Sequence, residues 1–415
     1  MARNLCFLII FSLFAFSCAN SNQGLRSDVS SAKREASVEW EAKPRSLGSG
    51  SGAQLWVRAS EAINMLYAAP NPEGKQDLLL VNSHDIGDTF ANPIRVNLEP
   101  GEVRAHGEND PHLKQGKNSE IYALWEGGQN IKFARSVNFG KSFTPPIQVN
   151  DDGEKTSHSF STMEVAPDGA IYAAWLDGRD KKTNAPGTSS LYIARSVDKG
   201  KSFEKNIKVA GDICPCCRPA LAFGRSGEVF VAWRHVFEND ERVIMVASSP
   251  DGGITWNAEP VAKKGWKLNG CAHSGPALGY VDGKLIAIWL TAEDGKPVLK
   301  AARSADNGKT FESLKEINDR VLDANHPHLA IVGSEAWVVF QGRDPDVGGG
   351  WDPQKTWLTR ILSDGVAMKP EPLPSTGGGV FYPRIFPGNG GRVYVSWTEM
   401  KESGPNIILC RGRIL

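Results

Sequence analysis

Apolar and polar residues alternate in short runs along this chain, as in IKFARS (131–136) and LYIARS (191–196), and each run closes on a Gly-containing turn. A period of two is the signature of a half-buried strand, and a turn directly after it signals an antiparallel hairpin. Upstream of these hairpins lies a second pattern, an apolar strand, a turn and a strand ending near Trp. Examples are PALAFGRSGEVFVAW (219–233), PALGYVDGKLIAIW (276–289) and PHLAIVGSEAWVVF (327–340). Aligned on its first residue, the pattern starts near Gln54, Pro111, Ser161, Pro219, Pro276, Pro327 and Pro383.

The turn itself is a recurring phrase, Ser-x-Asp/Asn-x-Gly-x-Ser/Thr-Phe/Trp. It reads SHDIGDTF (83–90), SVNFGKSF (136–143), SVDKGKSF (196–203), SPDGGITW (249–256) and SADNGKTF (304–311), with starts 53, 60, 53 and 55 residues apart. The Asp or Asn can accept hydrogen bonds from turn amides, Gly permits a positive φ, and the last aromatic can pack between neighbouring sheets. A repeat of this length is one four-stranded sheet, which cannot bury both faces alone and must stack against its copies around an axis. The expectation is an all-β, β-propeller fold with seven blades, six being the alternative because the first and last units are degenerate. The last unit, from FYPRIFPGNGGRVYVSW, has three strands before Leu415, and a segment near Ser37 to Glu41 could supply its outer strand.

Lys+Arg and Asp+Glu both total 47 in 415 residues, which leaves no net field to favour nucleic acid or an acidic membrane. No phosphate loop or nucleotide fingerprint is present. Twelve Trp, 43 Gly and 25 Pro suit many short strands and tight turns. At the N-terminus Arg3 precedes an apolar run from Leu5 to Phe16, too short to span a bilayer, which reads as a signal segment over 1–18. Ala15-Phe16-Ser17-Cys18 resembles a lipobox with Cys18 as the lipidated residue, and Ser17-Cys18-Ala19 also suits an ordinary cut after Ala19. A polar tether over 19–52 and the propeller over 53–415 complete the expected organisation. The protein is expected outside the cytoplasm, in a bacterial periplasm or on the cell surface, touching membrane only through a lipid.

Export bears on Cys214, Cys216, Cys217, Cys271 and Cys410, because thiols in an oxidising compartment become disulfides or metal ligands. Counting back from the aligned strand starts, His158, Cys216 and His273 stand three steps before their own, and His106, Cys214 and Cys271 five steps before. Cys217 and His326 lie two and one steps before theirs. A closed ring would bring these positions toward one centre, where thiolate and imidazole suit copper first and zinc next. Disulfides stapling the ring, or a redox-active thiol site, are the competing readings. WLDGRD (175–180), WRHVFEND (233–240) and FQGRD (340–344) add Asp177, Arg179, Arg234, His235 and Arg343 around the same mouth. Arginine forks there would suit an anionic small molecule or glycan.

The five phrases resemble the Asp boxes, or bacterial-neuraminidase repeats, of the sialidase superfamily, and the resemblance covers essentially the whole chain after the signal. It implies the propeller fold; the Asp boxes are turn motifs away from the active site in that superfamily and imply no particular chemistry. Sialidase chemistry would require an arginine triad, a Tyr–Glu nucleophile pair and an Asp acid/base. Tyr382, Arg384, Arg218 and Asp177 are the candidates here. The first inner strand departs from the family pattern: it reads QLWVRAS, with Arg58 but no Ile-Pro. Three readings stay open, a metal-dependent protein, a glycan hydrolase or binder, and a disulfide-stapled interaction scaffold.

Overall fold

The computed structural model describes residues 37–153, 156–181, 188–347 and 352–415. The expected signal segment, Cys18 and the first part of the expected tether lie outside the described residues. Apart from one 3-10 turn at Glu238–Asp240, every described element is a strand. The strands fall into seven consecutive antiparallel meanders, whose first strands are Ser51–Val57, His112–Gln115, His158–Val165, Ala220–Phe223, Ala277–Val281, Leu322–Val332 and Val380–Pro387. Each contains or directly follows one of the aligned starts read from the sequence. The third and fourth meanders join into a single nine-stranded sheet through one residue pair, Ile213 with His235.

The seventh meander takes its outer strands from the other end of the chain. Val38–Trp40 and Arg45–Ser49 both pair with Gly404–Ile414, as Val38 with Ile414 and Arg45 with Leu409. The expectation near Ser37 to Glu41 matches this pairing. The expected tether over 19–52 does not hold at its C-terminal end, because these residues are bound by ladder hydrogen bonds into a sheet.

Packing runs between neighbouring meanders. One apolar cluster joins Leu66, Leu78 and Leu80 of the first to Leu113, Ile121 and Trp125 of the second, and another joins Tyr172 and Ile193 to Val231 and Trp233. Trp125, Trp175, Trp233 and Phe340 are fully buried at equivalent places on second strands. The first strands touch one another in a cycle, each the next and the seventh the first. They surround a cavity of about 420 Å³, lined by residues of all seven, among them Gln54, Leu113, Glu164, Phe223, Tyr280, His328 and Phe386.

The five phrases adopt one turn. In SPDGGITW, the Ser249 hydroxyl donates to Asp251 Oδ1 at 2.7 Å and accepts from the Gly253 N–H at 2.8 Å, while Asp251 accepts from the Thr255 N–H at 2.9 Å and hydroxyl at 2.6 Å. Gly253 sits at φ 93°, a region closed to side chains but open to glycine. Phe143, Phe203, Trp256 and Phe311 pack against the inter-sheet clusters, so the last aromatic of each phrase anchors its turn to the core.

Candidate functional site

Four first strands carry a register shift just before the aligned start: between Ser51 and Gln54, Ser159 and Thr162, Asn325 and His328, and Phe381 and Arg384. A bulge re-aims the side chain it carries. The bulge residues Phe160, His326 and Tyr382 have φ of 49°, 51° and 55°, strained for residues with side chains, and such strain collects at functional sites. His326 and Tyr382 are thereby brought ring to ring, edge to face, with centroids 4.5 Å apart. The Tyr382 backbone N–H is held by Gln341 Oε1 at 2.7 Å.

Beneath them lies a buried charged network. His326 Nδ1 is 2.9 Å from Glu108 Oε1, and Glu108 Oε2 accepts from the Gly275 N–H at 2.7 Å. Burial pulls the Glu108 carboxyl upward, but the hydrogen bond and charge of His326, with Arg218 and the Gly275 N–H, hold it below its ordinary value. It is therefore an anion that orients His326. Burial raises the Tyr382 phenol, and Glu108 and Asp110 raise it further, so this group keeps its proton. Arg384 forks onto Asp110 Oδ2, both side chains being buried.

Arg218 is different. It is only 8% exposed, yet its guanidinium makes no hydrogen bond or ion pair with any described residue, and Nε is buried without a partner. Burial first, and Arg384 second, push it down to about 10. Glu108, Asp110 and Glu164 act on it only through space. His112 and His328 complete the group. Burial and the Arg218 and Arg384 charges hold both imidazoles well below 6.5, so they are neutral. His112 Nε2 is 2.8 Å from the Ser161 carbonyl, and His328 Nδ1 accepts from the Ile385 N–H at 3.2 Å.

The cysteines form a second cluster alongside. Cys216 and Cys271 are disulfide-bonded, and Cys214 and Cys217 are free thiols. Cys214 Sγ lies 3.6 Å from Cys217, 3.7 Å from Cys271 and 3.8 Å from Cys216. The Cys217 hydrogen bond, opposed by burial and aided by Arg234, lowers the Cys214 thiol to about 6. Cys214 to Cys217 sit in a turn, not on a strand as the alternating spacing implied. Exposed His273 reaches the Cys216 and Cys271 sulfurs, its ring nitrogen and theirs lying within 4.8 Å of one another.

The other histidines go elsewhere. His158 is fully buried, with Nδ1 2.7 Å from the Gln129 carbonyl and Nε2 2.9 Å from Asp152 and 3.4 Å from Asp177. Arg179 also binds Asp177, along with Asp151, so Asp177 belongs to this closed network rather than beside Tyr382. His106 is exposed and packs edge-on against Phe160 at 5.8 Å. Arg234 is buried against the Ser274 and Leu290 carbonyls, His235 packs on Phe237, and Arg343 pairs with Asp323. Of the sequence-derived candidates, the structure joins Cys214, Cys216, Cys217, Cys271 and His273 in one place and His326, Tyr382, Arg218 and Arg384 in another.

Glu108, Asp110, His112 and His328 were not read from the sequence. A signal for the histidines exists: Pro-His-Leu occurs twice, at 111–113 and 327–329, at equivalent places in the repeat. The step just after the aligned start points to the same neighbourhood as the steps before it.

No family model matches the chain, and no curated protein does. Solved structures share its fold. A polysaccharide lyase of family PL25, an ulvan lyase bound to a glucuronate–sulfated rhamnose unit, matches with a TM-score of 0.58 at 12% identity over 88% of this chain and 95% of that one. The polysaccharide lyase Uly1 matches with a TM-score of 0.56 at 11% identity, over 94% and 96%. A protein of unknown function from Dyadobacter fermentans matches with a TM-score of 0.53 at 17% identity, over 91% and 99%. At such identities the likeness is one of fold.

Proposed function

We propose that this chain is a seven-bladed propeller that binds an acidic polysaccharide at Arg218 and cleaves it beside a uronate by β-elimination. The closed, seven-membered cycle of first strands supports the ring. The observation that carries the chemistry is Arg218, a buried guanidinium without a partner among the described residues. Leaving such a charge unpaired is costly, and a sugar carboxylate would satisfy it through the bidentate geometry arginine offers.

Elimination needs three things: neutralisation of the carboxylate, a base for the proton on the adjacent carbon, and an acid for the leaving oxygen. Arg218 supplies the first. His326, its Nδ1–H directed at the Glu108 carboxylate, presents Nε2 as the base. Tyr382, kept protonated, donates to the glycosidic oxygen. The C–H electron pair becomes the new C=C bond as the C–O bond breaks, so no water and no oxidant is consumed. Two solved lyases sharing the fold support this reading over hydrolysis. So does the Arg384–Asp110 pair, which occupies the second arginine that a sialidase-type carboxylate clamp would use. The protein acts outside the cytoplasm, held by a lipid on Cys18; the apolar run from Leu5 to Phe16 supports this.

The test is incubation of the purified protein with a panel of uronate-containing polysaccharides, following the ultraviolet absorbance of the unsaturated uronate and the appearance of reducing ends. Both should rise together. Tyr382→Phe and His326→Gln should each lower kcat by about 10²–10⁴-fold, and Arg218→Lys should chiefly raise KM. Reducing ends without absorbance would replace elimination by hydrolysis, and neither signal on any acidic polymer would overturn the reading.

A further inference from the structure

The four-cysteine cluster lies outside the proposed reaction and has an electrostatic problem of its own. Two guanidiniums are buried against it, Arg234 at 1% and Arg242 at 7% exposure, and the Nε of each has no hydrogen-bond partner among the described residues. Arg234 donates to the Ser274 and Leu290 carbonyls at 3.0 and 2.9 Å, and its own carbonyl accepts from the Cys214 N–H at 2.9 Å. Arg242 donates to the Gly270 carbonyl at 2.6 Å and the Asp240 carbonyl at 2.8 Å; the Asp240 carboxylate, 3.8 Å away, is exposed. The oxidised cluster can carry at most the single negative charge of a Cys214 thiolate, so the two buried cations are not matched by it.

We infer that, with the Cys216–Cys271 bond reduced, Cys214, Cys216, Cys217 and Cys271 hold one divalent thiophilic cation, zinc(II), as a closed tetrathiolate site. Tetrahedral ligands at the usual zinc–sulfur distance of about 2.3 Å stand about 3.8 Å apart. The separations from Cys214 to the other three sulfurs, 3.6, 3.7 and 3.8 Å, match the edge length of such a tetrahedron, and the Cys216–Cys271 edge opens on reduction of the bond between them. Charge selects the ion. Four thiolates around a divalent ion leave two negative charges, which Arg234 and Arg242 match; a monovalent copper(I) would leave three. With four sulfur ligands no coordination position is open, so the ion is structural. It clamps the turn after Ile213 to the segment after Gly270, the two stretches that carry Arg218 and Gly275.

Loading releases protons from the thiols and requires a reductant for the disulfide, a dithiol or phosphine supplying two electrons. The experiment uses the full chain, reduced with a phosphine under anaerobic conditions, then dialysed against zinc(II), cobalt(II) or copper(I) separately. Metal is counted by mass spectrometry, and the cobalt form is read by its thiolate charge-transfer absorption. One zinc per chain is expected, with the cobalt spectrum of a tetrathiolate. Cys214→Ser and Cys217→Ser should lose the metal. Cys410→Ser, a buried thiol outside the cluster, and His273→Ala should keep it. The cobalt spectrum of the unaltered protein decides the matter even if a cysteine variant fails to fold. No bound metal after full reduction, metal retained by both cysteine variants, loss in His273→Ala alone, or stoichiometric copper(I) with zinc excluded would each overturn the assignment. None of these readouts depends on a polysaccharide, so this inference and the proposed reaction fail separately.

Discussion

Arg384 and Asp110, 274 residues apart in the chain, are locked together at the centre of the molecule, with Arg384 Nε 3.1 Å from Asp110 Oδ2. Arg384 is on the first strand of the last meander and Asp110 precedes the first strand of the second, so the pair ties meanders that are remote in sequence. Both side chains are at most 5% exposed, where an ion pair is less a source of stability than a constraint. Asp110→Ala should cost about 3–5 kcal/mol, because it leaves a buried guanidinium unpaired beside Arg218. Denaturant unfolding checks this, and a cost under about 1 kcal/mol would mean that water reaches Arg384.

Gly275 is where the two sites touch. A Cβ there would stand 2.2 Å from the Arg218 carbonyl oxygen and 3.0 Å from its nitrogen. Neither obstacle is a flexible side chain, so Gly275→Ala must move backbone. The expected cost is about 1–3 kcal/mol by overpacking, together with weakened binding of acidic oligosaccharide measured by calorimetry. Unchanged affinity with lowered stability would detach Arg218 from ligand binding.

Glu126 sets a distinct pH dependence. Its carboxyl is pushed up to about 7, chiefly by burial and against a hydrogen bond from Asn109. A raised folded pKa means the native state holds a proton that the unfolded chain has released between about 4.5 and 7, so this contribution is full below 4.5 and is lost as pH rises through 7. Across that window it should remove on the order of 3 kcal/mol. Buried His112, with its pKa depressed, acts oppositely and costs stability as pH falls below 6.5. Comparing urea midpoints from pH 4.5 to 7.5 in Glu126→Gln and His112→Gln separates them; an identical slope in Glu126→Gln and the parent would refute the Glu126 assignment.

The repeated turns should be individually dispensable. Ser249→Ala removes two hydrogen bonds and should cost about 1 kcal/mol, a small part of the stability of a fold with several copies of the turn. Acid acts on the four copies that carry Asp and spares the turn built on Asn138. Hydrogen bonds from Thr255 and Thr310 hold Asp251 and Asp306 down to about 2, so their contribution is present above 3.8 and is lost as pH falls through about 2. Circular dichroism between pH 4 and 2 should show a loss of structure delayed below the ordinary carboxylate range. A transition centred at 3.8 would contradict it.

The architecture was legible because the repeat states it locally. Strand alternation, the turn phrase and the aligned starts each depend on residues within one meander, and the structure places all seven starts on or beside first strands. The cysteines were legible for the same reason: two short segments at equivalent places in adjacent repeats must come together once the repeats stack. The histidines show the limit of that reasoning. His158, His326 and His273 stand at similar offsets, yet they meet a pair of aspartates, Glu108 and two cysteines respectively.

What the sequence alone determined is the periodic part: strands, turns, the stacking of repeats and the neighbourhood of Cys214 and Cys271. Only the tertiary structure decided which side chains face the centre. Bulges at Phe160, His326 and Tyr382 break the period of two, and their positive φ carries no sequence signature in residues with side chains. The partners Glu108 and Asp110 come from the turn before the second meander, joined to residues more than two hundred positions away. A missing partner cannot be seen in a sequence either. Arg218 differs from its fellow arginines only in what the folded chain fails to place beside it.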